Sequence, residues 1–294
     1  MANGEEPRTH GRMFDGIADA YDRHRPRYPE ALIDRACEVG RLAAGARVLE
    51  IGCGTGQLTR SLLARGLRVT AVEPGARLIA RAAERLAGAG EVRFVNRRLE
   101  EAGLDRSTYQ AVFCASAIHW VDPEVSWRRI ADALVDGGTL ALVSYFGVED
   151  PRSHQDQEAF RAELARIAPE LASEWPSYRD LGAMFAGVDQ RRANVSEVWG
   201  WLGGYELARP YAAELFGDVR LTAMPLLMEH SADALNGLLG TMSFWGRLSA
   251  RQREALVAGN QALHERLGRP IRSGTAACLA TARRSPDGGA GAVT

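Results

Sequence analysis

Apolar and polar positions along this chain follow two rhythms: short, nearly continuous apolar runs, and longer stretches in which apolar residues return every three to four positions. Runs of the first kind at 46–51, 67–72, 91–95, 109–115 and 138–145 predict strands buried on both faces. Stretches of the second kind at 57–65, 76–87 and 123–135 predict the helices between them. Alternation at this spacing is the signature of a parallel sheet covered by helices. From 151 to 217 the alternation gives way to a helical pattern carrying Trp175, Trp199, Trp201, Tyr178, Tyr205 and Tyr211. Strand-like residues resume over Val219–Glu229, helices are expected at 231–246 and 249–267, and a last strand over Ile271–Ala282. The expectation is an α/β, Rossmann-like sheet of seven strands with helices on both faces and a helical insertion between strands five and six. In an open α/β sheet, ligands sit beyond the carboxyl ends of the strands, where an insertion after strand five emerges. The layout therefore divides into a disordered 1–10, a core at 11–150, a helical cap at 151–217, the end of the core sheet at 218–284 and a disordered tail at 285–294. A packing or oligomerisation module is the competing reading of 151–217.

The first strand runs into Arg47-Val48-Leu49-Glu50-Ile51-Gly52-Cys53-Gly54-Thr55-Gly56-Gln57. Glycines at alternate positions let a backbone approach a ligand more closely than side chains allow. A dinucleotide fingerprint needs a third glycine where Gln57 stands, and a P-loop needs a lysine, which this chain lacks altogether. What remains is an acid at the strand end followed by G-x-G-x-G. The second strand ends at Glu73-Pro74, about 20 residues beyond the glycines, where an acid can take both hydroxyls of a ribose.

Composition narrows the field. The 294 residues hold 37 acidic and 36 basic side chains, so no electrostatic footprint for nucleic acid is present. Cys37, Cys53, Cys114 and Cys278 lie too far apart for a metal or redox motif, and reduced thiols suit a cytoplasmic setting. The polar N-terminus has no apolar signal core, no run has membrane length, and the missing lysine excludes Schiff-base chemistry.

The acid followed by G-x-G-x-G resembles motif I of the class I S-adenosylmethionine-dependent methyltransferases. A second likeness lies in Phe113-Cys114-Ala115-Ser116-Ala117-Ile118-His119-Trp120-Val121-Asp122-Pro123-Glu124, which is similar to the fourth-strand signature of a subset including the trans-aconitate and many bacterial small-molecule methyltransferases. Met13–Asp22, Arg25-Pro26-Arg27-Tyr28-Pro29 and Glu100-Glu101 match the same subset. The likeness spans 13–146 strongly, the C-terminal elements loosely, and does not extend across 151–217.

The resemblance implies S-adenosyl-L-methionine as cofactor. Glu50, Gly52, Gly54 and Gly56 would hold its methionine end, with Cys53 inside the occupied turn. Glu73, followed by Pro74, would take the ribose, and Leu99 and Glu100 would flank the adenine. Ala115 would offer a carbonyl to the ammonium, and Tyr21, Arg25 and Tyr28 would belong to an N-terminal lid on the cofactor-binding core at 11–150. Asn96-Arg97-Arg98 depart from the small residues and aspartate common in the family, which softens the adenine assignment. Tyr28, His119 and Trp120 are the expected substrate-pocket residues. His119 is either the general base for a hydroxyl or acidic carbon, or a structural histidine.

The implied function is methyl transfer to oxygen, nitrogen or carbon of a small molecule, in specialised metabolism, without metal, nucleic acid or membrane. A homodimer stays open. A non-methylating cyclase on the same fold is the alternative; a non-catalytic scaffold and a nicotinamide dehydrogenase are weaker ones.

Overall fold

The computed structural model describes residues 15–175 and 178–286; the expected disordered 1–10 and all but the first two residues of 285–294 lie outside the described residues. Seven strands form one sheet in the order β3-β2-β1-β4-β5-β7-β6. They are β1 (Arg47–Ile51), β2 (Arg68–Val72), β3 (Val92–Val95), β4 (Tyr109–Ala115), β5 (Leu134–Gly147), β6 (Phe216–His230) and β7 (Ile271–Arg284). The first five pair in parallel, and β7 runs antiparallel between β5 and β6. Strand order reverses at β1 and β4, and a crevice opens beyond their carboxyl ends, the place where open α/β sheets bind ligands.

The helices before β3 are α1 (Ala18–His24), α2 (Glu30–Gly40), α3 (Gln57–Ala64) and α4 (Ala76–Arg85). The residues of α2 that face the sheet, Leu32, Ile33 and Ala36, are spaced for one helical face, a signal the strand–helix reading passed over in favour of a lid. They pack with Leu58 and Leu62 of α3 over Val48, Phe113 and Val143. After β4 comes α5 (Pro123–Ala133), which begins with Pro at its first position and Asp122 accepting the Glu124 amide.

Helices α6 (His154–Ile167), α7 (Pro169–Glu174), α8 (Leu181–Asp189), α9 (Val195–Gly203) and α10 (Ala212–Leu215) fill the insertion between β5 and β6. The 151–217 segment divides between two places. Met184, Val188, Val198 and Trp199 of α8 and α9 join Leu49, Val112, Trp127 and Leu142 in the core on the other sheet face. Residues of α6 and α7 instead share a separate core with α11 (Ala232–Leu239) and α12 (Ala250–Leu267), built from Phe160, Leu164, Leu171, Leu239, Leu248 and Leu256. The physical reason is that β4, β5 and β7 need cover on that face, and α8–α9 carry the bulk to supply it. The structure above the crevice thus combines 154–174 with 232–248. The helix expected over 231–246 ends at Leu239 and is followed by a 3-10 turn over Ser243–Arg247. Among the described residues no helix is long and apolar enough to cross a membrane.

Candidate active site

A cavity of about 990 Å³ begins at the glycine turn and continues under the cap. That is the upper end of the roughly 300–1,000 Å³ usual for a site holding one drug-sized ligand, so there is room for two molecules. The three glycines of the turn all have positive φ, but for different reasons. A Cβ on Gly52 (φ 69°) would lie 2.4 Å from the Ala117 Cβ, and one on Gly56 (φ 82°) 2.8 Å from Leu86 Cδ1. Gly54 (φ 54°) faces the cavity, with only the Tyr21 ring within reach at 3.6 Å. Packing excludes side chains at Gly52 and Gly56; at Gly54 a side chain would fill ligand space.

Glu73 stands across from the turn. Its carboxylate accepts the Gly54 amide at 3.1 Å and the Gly75 amide at 2.9 Å. Burial raises its pKa, and these two amides oppose the rise. Asn96 donates to the carbonyls of Glu73 and Pro74, both at 3.0 Å, so the departure noted after strand three secures the end of β2. Leu99 lies at the wall with 3% exposure, and Glu100 accepts the Asp122 amide at 3.0 Å.

Twelve of the expected residues line this cavity: Tyr21, Arg25, Tyr28, Gly52, Gly54, Glu73, Pro74, Leu99, Glu100, Ala115, His119 and Trp120. Glu50, Cys53 and Gly56 do not; they stand behind the wall. Glu50 lies beneath the turn and off the cavity surface. Its side chain is 1% exposed and turned toward Thr59 in the first turn of α3. Burial pushes its pKa up to about 7, with Thr59 opposing and the Glu73 charge adding. One of its carboxylate oxygens has no hydrogen-bond partner. A buried carboxylate with an unsatisfied oxygen, beneath a turn bare of side chains, suits a cationic ligand group above it.

The N-terminal segment closes the cavity from outside. Arg25 donates to the Thr241 hydroxyl at 3.0 Å and its carbonyl at 2.7 Å, tying the lid to the cap. Asp22 accepts from Thr55 at 3.0 Å and pairs with Arg85. The Tyr28 hydroxyl meets Ser116 at 2.9 Å, and its ring stacks on Tyr145 with centroids 5.5 Å apart.

His119 follows β4 in a 3-10 turn over Ile118–Trp120, and its ring stacks on Tyr205 at 4.2 Å, only 9° from parallel. Burial, then the nearby Arg25 charge, pushes its pKa down to about 3. At neutral pH it is an uncharged imidazole and a weak proton acceptor. From the sequence, Tyr205 is named only among the aromatics of 151–217 and Ser116 only within the fourth-strand signature, and Thr241 has no role. Gly203-Gly204 before Tyr205 is a readable signal, since a Cβ on Gly203 would lie 2.1 Å from the Tyr205 ring; nothing local marks Ser116 or Thr241.

Comparison with known proteins agrees with this geometry. Residues 48–138 match the family described as a methyltransferase domain. An uncharacterised methyltransferase of Mycobacterium tuberculosis is 40% identical over 134 residues, which cover 44% of this chain and 51% of that protein. One from Geobacillus thermodenitrificans is 28% identical over 192 residues, covering 59% and 85%. The chain spans about half the length of the mycobacterial relatives it matches, 51% in the stretch aligned. Among solved structures, a candidate type II methyltransferase from Anaeromyxobacter dehalogenans superposes with TM-score 0.58 at 25% identity, covering 89% of this chain and 99% of that one. A Thiobacillus denitrificans S-adenosylmethionine-dependent methyltransferase, solved with S-adenosylhomocysteine, has the same fold at TM-score 0.53 and 17% identity, covering 93% and 98%.

Proposed function

We propose that the chain is a class I S-adenosylmethionine-dependent methyltransferase and that it transfers the cofactor's methyl group to a small organic acceptor seated under the cap, a reading supported by the methyltransferase-domain match over residues 48–138. The observation that carries this reading is the single cavity running from the glycine turn to a chamber walled by Phe160, Trp175 and Phe244. A deep cavity of this kind suits a metabolite rather than a folded macromolecule, and specialised metabolism is the setting we infer.

The residues present fit the cofactor. Gly52 and Gly54 leave backbone bare where the methionine end would lie, above the partnerless oxygen of Glu50. Glu73 spends one lone pair of each oxygen on an amide and keeps others for ribose hydroxyls. Leu99 offers an apolar wall to the adenine. When bound, S-adenosylmethionine supplies an electrophilic methyl group on a sulfonium.

The chain's own part is positioning and exclusion of water. The Arg25–Thr241 tether holds lid and cap together over the reacting centre. Tyr21 and Trp120 bring aromatic walls to the same cavity. Neutral His119 can accept a hydrogen bond from the acceptor and orient it, but its weak basicity favours nucleophiles that need no strong base. Oxygen, nitrogen and carbon acceptors all stay within this reading.

The test uses methyl-deuterated cofactor, the full chain and a library of small metabolites, read by mass spectrometry. The expected result is at least one acceptor gaining a labelled methyl group. Tight binding of S-adenosylhomocysteine with consumption of the cofactor but no labelled acceptor would overturn methyl transfer in favour of a non-methylating reaction.

A further inference from the structure

We propose that the acceptor is an uncharged, planar aromatic compound bound in the chamber between the two halves of the cap; the proposal rests on the methyl-transfer reading above. The chamber's far wall is a train of rings contributed by separate segments. Trp175, just after α7, contacts Phe160 of α6 with centroids 5.4 Å apart and Phe244 of the turn after α11 at 5.1 Å, the latter pair edge to face. Met242 lines the same wall, and Tyr178 lies across Gly147, where a Cβ would sit 2.6 Å from its ring. Flat, polarisable walls of this kind gain most from a flat, polarisable guest.

Charge recognition is closed off by bonds already made. Arg247 gives both ends of its guanidinium to Glu174, at 2.6 and 2.9 Å. Arg272 pairs with Glu229 at 2.8 Å, and Arg25 is held by Thr241. Asp156, the other acid on this wall, is held by Arg269 at 2.7 and 2.9 Å and by the Arg272 amide at 2.7 Å. The bonds that occupy Arg247, Arg269 and Arg272 also occupy the carboxylates, whereas Arg25 is tied to the uncharged Thr241. A carboxylated acceptor would have to break an ion pair or displace Thr241 from Arg25 to find a cation, and a polyamine would have to break an ion pair to find an anion. His119 and His230 add no charge, since burial holds both toward the neutral form. Burying an unpaired charge costs more than aromatic contact returns.

The experiment measures binding to the protein–S-adenosylhomocysteine complex by calorimetry with three probes: 2-naphthol, 2-naphthoate and spermidine. The expected order is 2-naphthol tighter than either charged probe by about tenfold or more. Trp175→Ala should weaken 2-naphthol by about tenfold, and Phe244→Ala by a similar factor, while S-adenosylhomocysteine affinity reports that each variant is folded. Equal or tighter binding of 2-naphthoate or spermidine, or no binding of 2-naphthol, overturns the proposal. So does an unchanged 2-naphthol affinity in both folded variants. Preferential binding of 2-naphthol supports the aromatic site even where no methyl moves, a result that would count against the transfer reading alone.

Discussion

At the glycine turn, the Gly54 amide reaches the Glu73 carboxylate across a sequence separation of 19 residues. Under the cap, Arg247 meets Glu174 across 73 residues, and Arg25 meets Thr241 across 216. One end of the cavity is made by consecutive strand ends and the turns between them; the other is gathered from the N-terminus, the β5–β6 insertion and the β6–β7 helices. The difference in polarity runs the same way. The near end is bare backbone and buried carboxylate, whereas the far end is aromatic, with Arg247, Arg272 and Asp156 held in ion pairs. A fold built this way can keep one cofactor and change acceptors, because the two ends share few residues. The lid is the exception, since Arg25 touches both.

The sharpest way to break that contrast is Gly54→Val. Its side chain would enter open cavity rather than packed core, with backbone strain at φ 54° as the cost to stability, so S-adenosylhomocysteine binding should fall below detection by calorimetry while circular dichroism reports a folded chain. Retained binding would mean that the turn does not seat the cofactor. Gly52→Val, which drives a Cβ into Ala117, should by contrast lower the melting temperature as well.

Glu50→Gln probes the buried carboxylate by stability. Its folded pKa is raised to about 7 from 4.5, so its contribution is fully present below about pH 4.5 and lost as pH rises through 7. Relative to the Gln variant, the ligand-free native chain should lose on the order of 3 kcal/mol between those limits and be level above them. Parallel denaturation curves at pH 5 and 8 would contradict the burial argument.

The smallest effect is expected at the acceptor boundary. His119→Asn should reduce kcat by less than about tenfold and leave the pH profile unchanged near neutrality, since a group with a pKa of about 3 has no titration there. A hundredfold loss together with disappearance of a limb between about pH 6 and 7 would restore His119 as general base.

The near end was legible because its causes are local. Apolar runs announced the strands, G-x-G-x-G announced a ligand-facing turn, and Pro74 placed Glu73 at a strand end. Sequence spacing does not say which way a side chain turns once a helix packs on it. That is why the spacing alone does not tell that the Glu50 side chain is buried toward Thr59. The 151–217 segment was legible as helical, but its division between sheet cover and cap depends on which helix faces find apolar partners. Tyr205 carried a faint signal in its two preceding glycines, and Thr241 carried none.

The chain's own pattern determined a seven-stranded α/β sheet, the glycine turn after its first strand and the acid that faces it, because periodicity and glycine placement act over a few residues at a time. Tertiary structure alone decided that lid and cap lock through Arg25 and Thr241, that His119 lies neutral against Tyr205, and that the arginines of the acceptor chamber are already taken. Those outcomes depend on burial and on charges meeting across long stretches of chain, and both exist only once the sheet has brought distant segments together.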